Sequence, residues 1–139
     1  MSSPLLPPDY RPSEDEDFMN PIQREYFRQK LLNWRMDILR EANGTLNNLR
    51  EESLAKPDMA DRAMLETDRS LELRTRDRQR KLISKIDAAL RRIDDGTYGF
   101  CEETAEPISL RRLEARPIAT LSLEAQERHE RLERMRRED

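Results

Sequence analysis

The fold of this chain is decided by six residues near its middle, Lys56-Pro57-Asp58-Met59-Ala60-Asp61. Proline lacks a backbone N–H and disfavours a helical residue before it, so Pro57 ends a helix that arrives from the N-terminal side. Asp58 or Asp61 then caps a second helix and lies favourably against the positive end of its dipole. Because the connection is so short, the two helices are expected to run antiparallel.

Long helical segments flank this turn. Between Ile22 and Asp95 the only proline is Pro57 and the only glycine is Gly44, among many good helix formers. Before the turn, residues at helical spacing are Phe27, Leu31, Trp34, Ile38, Leu39, Ala42, Leu46 and Leu49. After it, a partly polar, near-heptad stripe runs through Met64, Asp68, Leu71, Thr75, Arg78, Leu82, Ile86, Ala89 and Ile93. These patterns predict two arms of roughly 30 residues, each about 45 Å long.

The composition excludes an ordinary deep core. Of 139 residues, 40% are charged and 35% are hydrophobic, against roughly 25% and 45–50% in an average globular domain. The 26 Lys and Arg nearly balance the 29 Asp and Glu, which favours exposed helices over long disorder. No run approaches the ~18 apolar residues that span a membrane, and no signal-peptide pattern is present. We therefore expect a cytoplasmic protein without a membrane partner.

Composition divides the chain into four segments. Residues 1–20 hold four of the eight prolines and an acidic cluster, and we expect an extended, partly mobile arm, with docking of Phe18 or Tyr10 as the alternative. Residues 21–95 form the coiled-coil hairpin, with its tip at 56–63. Residues 96–121 form a small globular region, with short extended pieces around a turn at 103–106. Residues 122–139 form a C-terminal helix, with Glu-to-Arg pairs predicted at 124/128, 127/131, 130/134 and 133/137.

Catalytic patterns are missing from the sequence. The single histidine, His129, lies in a charged helix without a triad-like partner, and no glycine-rich phosphate loop is present. The single cysteine, Cys101, excludes an intramolecular disulfide and a structural zinc site made of several thiolates. We therefore expect a protein that is not an enzyme.

Two charged features have alternative interpretations. Asp58 and Asp61 are either helix-capping residues or carboxylates that the end of a rod delivers to a distant cation or basic site. Residues 69–92 hold nine Lys and Arg against three Asp and Glu, and one face carries Arg74, Arg78, Lys81 and Lys85. This face is either solvated or binds a polyphosphate or an acidic protein surface. Duplex DNA is a poorer candidate, because the chain is acidic overall and has no groove-reading motif.

Several motifs together resemble a known family. They are Asp58-Met59-Ala60-Asp61-Arg62-Ala63 at the tip, Ser70 to Arg78 in the return helix, Tyr98-Gly99-Phe100-Cys101, and Arg111 to Pro117. They are similar to the DksA/TraR family of RNA polymerase-binding transcription factors, over roughly residues 20–137. The resemblance implies a mainly α fold: a long antiparallel two-helix coiled-coil hairpin, a small zinc-ribbon-like globular end and a C-terminal helix.

The resemblance also implies a function. Such proteins bind bacterial RNA polymerase without binding DNA directly, and insert the hairpin through its secondary channel. With the alarmone ppGpp they repress ribosomal RNA promoters and activate some amino-acid biosynthesis promoters in the stringent response. The tip residues that match the family's effector positions are Asp58, Asp61 and Ala63. We expect a monomer whose partners are RNA polymerase and ppGpp.

The resemblance assigns two further sets of positions. The ppGpp site of the family matches Arg78, Lys85 and Arg116, while Gln126 stands where relatives carry a lysine, so a weaker or altered response is expected unless Arg128 substitutes. The four zinc-binding cysteines of the family match Cys101, Thr104, Ser122 and Ala125, so one cysteine is retained. Because alanine cannot ligate and hydroxyls are poor zinc ligands, we expect no zinc, and therefore a metal-free globular end.

Two other functions remain open. One is a family paralogue that enters the same channel but ignores ppGpp, or that protects stalled polymerase. The other is a structural helical hairpin whose partner is not polymerase.

Overall fold

The computed structural model describes residues 6–54 and 59–138. Its helices are α1 (Pro21–Leu54), α2 (Met59–Asp95), α3 (Leu110–Ala115) and α4 (Leu123–Glu138). The prediction of a mainly α fold with two long helices is confirmed, and the described residues contain no strand beyond a single bridge. Within the described ranges, no helix is both long and apolar enough to cross a membrane.

The chain forms two units, and the division cuts through both long helices. One unit contains residues 32–87, which are the distal parts of α1 and α2. The other contains residues 1–31 and 88–139. The division into four segments by composition stays a prediction.

In the hairpin unit, α1 and α2 run antiparallel. Arg35 near the start of this unit pairs with Asp87 at its end, with 2.8 Å between Nε and Oδ1. Ile38 and Ile86 are both buried. Trp34 is half-buried on the same face of α1 as Ile38, as the apolar spacing predicts. The described side chains of α1 end at Gly44, so the predicted contacts of Leu46 and Leu49 lie outside the described residues.

The stripe predicted along α2 is correct only in its second half. Ile86, Ala89 and Ile93 are buried, but Met64 and Leu71 are 66% and 53% exposed. In the first half of α2 the half-buried positions instead include Leu65, Glu72, Arg76, Gln79 and Ile83. At most of its steps this stripe is shifted by one residue from the predicted one. The prediction failed because polar residues fill both stripes there, so spacing alone does not choose between adjacent registers.

The core of the second unit gathers apolar side chains from several segments. Phe27 and Leu31 come from α1, and Tyr98 follows α2. Their rings pack closely, with 5.6 Å between the centroids of Phe27 and Tyr98. The buried Tyr98 hydroxyl donates to the Pro117 carbonyl at 2.8 Å. The other fully or nearly buried apolar residues of this unit are Ala89, Ile93, Cys101, Ile108, Leu110, Leu113 and Ala125.

Within residues 6–20, both Tyr10 and Phe18 dock onto their own unit, which is the alternative to an extended, partly mobile arm. Tyr10 donates its hydroxyl to Glu16 at 2.9 Å and packs edge-on against Tyr26 of α1. Phe18 packs edge-on against Phe100, and Met19 is buried. These aromatic anchors offset the repulsion among the carboxylates, so the described part of the arm folds onto its own unit.

A buried glutamine secures the junction between this arm and α1. The Gln23 side chain is fully buried. Its Oε1 accepts from the Met19 backbone N–H at 2.8 Å, and its Nε2 donates to the Ser13 carbonyl at 3.3 Å. Asn20 caps α1 by accepting from the Gln23 N–H at 2.9 Å. The arm is therefore held by hydrogen bonds as well as by aromatic packing.

The segment after α2 is a short hairpin, as predicted. Gly96 has a φ of +85° and ends α2, which is the role expected of a glycine there. Phe100 and Pro107 form an antiparallel bridge. The Cys101 N–H donates to the Glu106 carbonyl at 2.8 Å, and the Ala105 N–H closes the turn onto the Cys101 carbonyl. α3 follows, capped by Ser109.

The predicted ion pairs of α4 are wrong. Among the described residues, none of the four Glu-to-Arg pairs forms a salt bridge. Every side chain from Glu127 to Arg137 is exposed, so each pair would have to offset the side-chain entropy of two long residues in water. The helix is instead attached through Ala125, which is fully buried, and through a contact between His129 and Glu103.

We expect Gly99→Ala to loosen the arm. Gly99 has a φ of +89°, and an added Cβ would lie 3.1 Å from Phe18 Cζ and 3.2 Å from Met19 Cε. The substitution should lower the free energy of unfolding by about 2–4 kcal/mol, measured by urea denaturation.

Gly96→Ala is the matched control. Gly96 has a φ of +85°, but no atom lies within 4 Å of the added Cβ. It should therefore show only the backbone cost of about 1–2 kcal/mol. Equal losses in the two variants would mean that the arm does not press on Gly99.

Candidate functional site

The predicted tip residues lie around the start of α2. Asp58 lies outside the described residues. Asp61 is the third residue of α2, and its side chain is not described. Ala63 is exposed, and its carbonyl accepts from the Thr67 hydroxyl at 3.1 Å. A carboxylate in the first turn of a helix lies near the unpaired N–H groups, so the capping interpretation of Asp61 remains available beside the functional one.

The basic face of α2 is exposed and only partly neutralised. Arg74, Arg78 and Lys85 are exposed, and none of them forms an ion pair with another described residue. Lys81 differs, because its Nζ lies 3.2 Å from Asp77 Oδ2. The face therefore offers three guanidinium or ammonium groups that water alone solvates, which suits an anionic ligand or surface.

Asp77 forms two ion pairs in the middle of α2, and the sequence analysis did not single it out. Its carboxylate accepts from Lys81 and from Arg80, whose Nη2 lies 2.6 Å from Oδ1. Hydrogen bonds from Lys81 and then Arg80 lower the pKa of Asp77 below its usual value. The i,i+3 and i,i+4 spacings carried this information, because they place both cations beside the carboxylate on a helix.

The four positions that match the family's cysteines are brought together in the structure. Cys101 is buried, and Thr104 and Ser122 lie close enough to its sulfur to shift the pKa of the thiol. Ser122 caps α4, since its Oγ accepts from the Ala125 N–H at 3.2 Å. Ala125 itself is fully buried. The segment with Cys101 and Thr104 therefore meets the segment with Ser122 and Ala125 around one thiol.

The surroundings of Cys101 favour its thiolate form. Burial alone would raise the pKa of the thiol. Hydrogen bonds from the Thr104 side chain and from the backbone N–H groups of Ser122, Thr104 and Glu103 outweigh this effect and lower the pKa to about 6. Four donors thus converge on one sulfur.

Arg116 and Gln126 lie in the same unit as this cluster. Arg116 is exposed and follows the last residue of α3. Gln126 is half-buried in the first turn of α4, and its Nε2 donates to Glu130 Oε1 at 3.3 Å. Arg128, the suggested substitute for the missing lysine, is exposed and forms no ion pair with a described residue.

Two polar contacts that the sequence did not indicate stabilise this unit. The Glu114 carboxylate of α3 accepts from Lys30 Nζ at 2.8 Å and from the Tyr26 hydroxyl at 2.9 Å. His129 of α4 contacts Glu103 in the loop between Cys101 and Thr104. Both contacts join residues far apart in sequence, so no local spacing could have predicted them.

Comparison with known families assigns the class. Residues 23–93 match the family described as DnaK suppressor protein DksA, N-terminal domain, and residues 96–131 match the Prokaryotic dksA/traR C4-type zinc finger. The first match alone covers half of the chain. The chain belongs to the DksA/TraR family, which confirms the resemblance found in its motifs.

Individual relatives are similar to this chain over most of their length. The chain is 69% identical to the RNA polymerase-binding transcription factor DksA of Caulobacter vibrioides, over 94% of this chain and 92% of that protein. It is 42% identical to the protein of the same name from Escherichia coli, over 83% and 76% of the two chains. The solved structure of transcription factor DksA2 from Pseudomonas aeruginosa superposes with a TM-score of 0.79 at 43% identity, covering 84% and 90%.

The zinc-finger match corrects the expectation of a zinc-free protein. It places residues 96–131 in a family described by a four-cysteine zinc site, which contradicts the prediction that no zinc binds. The four matched positions do not supply that set of ligands, because Cys101 is the only thiol among them. Among the described residues, no cluster of three or more His, Cys, Asp or Glu side chains is placed to hold a metal ion.

The thiol of Cys101 should ionise near pH 6, which thiolate absorbance measured against pH in the folded protein will report. Because the folded pKa lies below the unfolded value, the thiolate stabilises the fold above the unfolded pKa. That contribution is lost as the pH falls through about 6. Cys101→Ser should remove this part of the pH dependence of stability.

Thr104→Val is the matched variant for this titration. It removes one donor to the sulfur while keeping the shape of the side chain, so the pKa of Cys101 should rise. A pKa that stays the same in Thr104→Val, or one near the ordinary value of about 8.5 in the parent protein, would contradict the described cluster.

Proposed function

We propose that this protein is a transcription regulator that binds bacterial RNA polymerase. The observation that carries the proposal is the 69% identity, over almost the whole of both chains, to a protein named an RNA polymerase-binding transcription factor. The names of the relatives describe regulators and no catalytic activity, which favours a function through binding. We expect the protein in the cytoplasm, where its partner is.

The hairpin is proposed to enter the secondary channel of the polymerase. Two features support this. In the hairpin unit α1 and α2 pair antiparallel, and most described side chains of α2 from Arg62 to Lys85 are exposed and polar. A helix pair that is solvated in this way is suited to a water-filled channel, because it loses little hydrogen bonding to water on entry. The tip would then present Asp58, Asp61 and Ala63 near the active centre.

The tip carboxylates should act on transcription rather than on affinity. We expect the double variant Asp58→Asn/Asp61→Asn to bind core RNA polymerase within about twofold of the parent protein, since the change is isosteric and removes only two charges at one end. Its repression of a ribosomal RNA promoter in vitro should be lost. Binding is measured by biolayer interferometry and repression by multiple-round transcription.

Ala63→Ser tests the third tip residue beside the double variant, because it alters an exposed tip position while keeping the helix. A double variant that loses binding in parallel with repression would mean that the carboxylates dock the protein. Full repression by the double variant would assign Asp58 and Asp61 to helix capping alone.

We further propose that ppGpp acts with this protein through Arg78, Lys85 and Arg116. All three side chains are exposed, and none forms an ion pair with another described residue, so each is available to a phosphate. Gln126 adds a neutral amide where a fourth cation would stand. One charge-assisted contact to phosphate contributes about 1.5–3 kcal/mol, so its lack should weaken the response.

Gln126→Lys should strengthen the response to ppGpp. In a ribosomal RNA promoter assay, the concentration of ppGpp that gives half of the maximal effect should fall roughly tenfold. Gln126→Met, which matches the length without the charge, should leave it unchanged.

An unchanged half-maximal concentration in Gln126→Lys would mean that Arg128 already supplies the contact, or that the protein ignores ppGpp. Arg128→Gln separates these, because only in the first case does it weaken the response. If the protein does not recover core polymerase in a pull-down, the structural-hairpin alternative is favoured instead. A cleavage assay on backtracked complexes tests protection of stalled polymerase.

A further inference from the structure

The exposed part of α4 has little to hold it in a fixed direction. Every side chain from Glu127 to Arg137 is exposed. Among the described residues, the only hydrogen bond or ion pair that joins this stretch to a residue outside α4 is the one between His129 and Glu103. We refer to it as the loop–helix contact, because Glu103 lies in the turn that follows Cys101.

The start of α4, by contrast, is well attached. In the segment before it, the Thr120 carbonyl accepts from the Glu102 N–H at 2.9 Å, and the Leu121 carbonyl accepts from Arg112 Nε at 2.9 Å. Ala125, in the first turn, is fully buried. A helix that is held only in its first turn can pivot there. At 1.5 Å per residue, the end of α4 lies about 20 Å beyond Ala125, so a small pivot moves it far.

The loop–helix contact lies one turn beyond this attachment. Ala125 and His129 are spaced i,i+4 and therefore share a face of α4. The turn that contains Glu103 is closed by the Ala105 N–H, which donates to the Cys101 carbonyl at 2.8 Å. Because an ionised carboxylate can only accept, His129 Nε2 carries a proton and donates to Glu103 Oε1. Two attachments on one face fix the direction of a helix.

The direction of α4 determines where Gln126 and Arg128 point. Gln126 lies between the two attachments, and Arg128 is the residue before His129. Arg128 is exposed and forms no ion pair with a described residue. Arg116 belongs to the fixed part of the unit, since its carbonyl accepts from the Ala119 N–H at 3.0 Å. A pivot of α4 thus moves Gln126 and Arg128 relative to Arg116, and hydrogen bonds to one shared ligand depend steeply on that geometry.

From these features we propose that Glu103 and His129 are positioning residues for the response to ppGpp. They hold α4 so that Gln126 and Arg128 face the same ligand as Arg116, without contacting ppGpp themselves. The inference rests on the proposed role of ppGpp and extends it to two residues that lie outside the proposed site.

The contact acts on the direction of α4 more than on stability. The side chains of His129 and Glu103 are 48% and 36% exposed. A contact between two side chains in water contributes little to the free energy of unfolding. Variants at these two positions should therefore fold, so that an altered response reports the direction of the helix.

His129→Ala should raise the ppGpp concentration that gives half of the maximal effect in a ribosomal RNA promoter assay. A rise of roughly threefold to fivefold is expected, which is the range that one contact of this kind allows. The maximal effect at saturating ppGpp should be reached all the same, whereas loss of folding would lower it. His129→Gln should keep the response of the parent protein, because its amide N–H replaces the imidazole N–H.

The two partners should act as a pair. Glu103→Ala should match His129→Ala, and the double variant should lose no more than either single variant. Glu102→Ala is the matched control, because Glu102 is exposed in the same loop and its side chain forms no ion pair with a described residue. Additive losses in the double variant, or an equal loss in Glu102→Ala, overturn the proposal.

Backbone residual dipolar couplings measure the direction of α4 relative to α3 in the free protein, without polymerase or ppGpp. In His129→Ala the couplings of residues 127–137 should shrink, because a pivoting helix averages them, and His129→Gln should keep them. Couplings that stay unchanged in His129→Ala overturn the proposal.

Failure of this inference is distinguishable from failure of the proposed function. If the parent protein responds to ppGpp and His129→Ala responds equally, the positioning role is wrong and the proposed role of ppGpp stands. If the parent protein ignores ppGpp while the couplings shrink as expected, the proposed role of ppGpp is wrong, and the positioning role fails with it.

Discussion

The packing of Phe27 against Tyr98 is the interaction on which the folded end of this protein depends. Phe27 belongs to α1 and Tyr98 follows α2, so their contact joins both termini of the hairpin within one unit. The Tyr98 hydroxyl then fixes the segment before α4 through Pro117. Because few apolar residues are available in so charged a chain, the burial of these two rings is a large part of the hydrophobic stabilisation of their unit.

The distal hairpin is stabilised differently. Its interior stripe on α2 is polar at Glu72, Arg76 and Gln79, and both Glu72 Oε2 and Gln79 Oε1 are buried without a hydrogen-bond partner. A seam of this kind contributes little burial, and each unsatisfied atom costs free energy.

The cluster around Cys101 shows how a knuckle can be arranged around a single thiol. Donors from Thr104, Ser122 and Glu103 converge on one sulfur, and α4 begins at the same place with Ser122 as its cap. Position 125 is filled by a buried methyl group. The family match describes a C4-type zinc finger over residues 96–131, and Cys101 is the only thiol among the four matched positions.

The sequence by itself determined the two long helices and the family, because helix formers, proline and the spacing of several motifs are local signals. The family resemblance also singled out Cys101, Thr104, Ser122 and Ala125, which the structure describes in one cluster, while their role stays a prediction. Only the tertiary structure decided the register of α2 before Leu82, the docking of the arm and the contact of His129 with Glu103. The physical reason is that these features depend on packing between distant segments, where polar residues leave several arrangements with similar local energies.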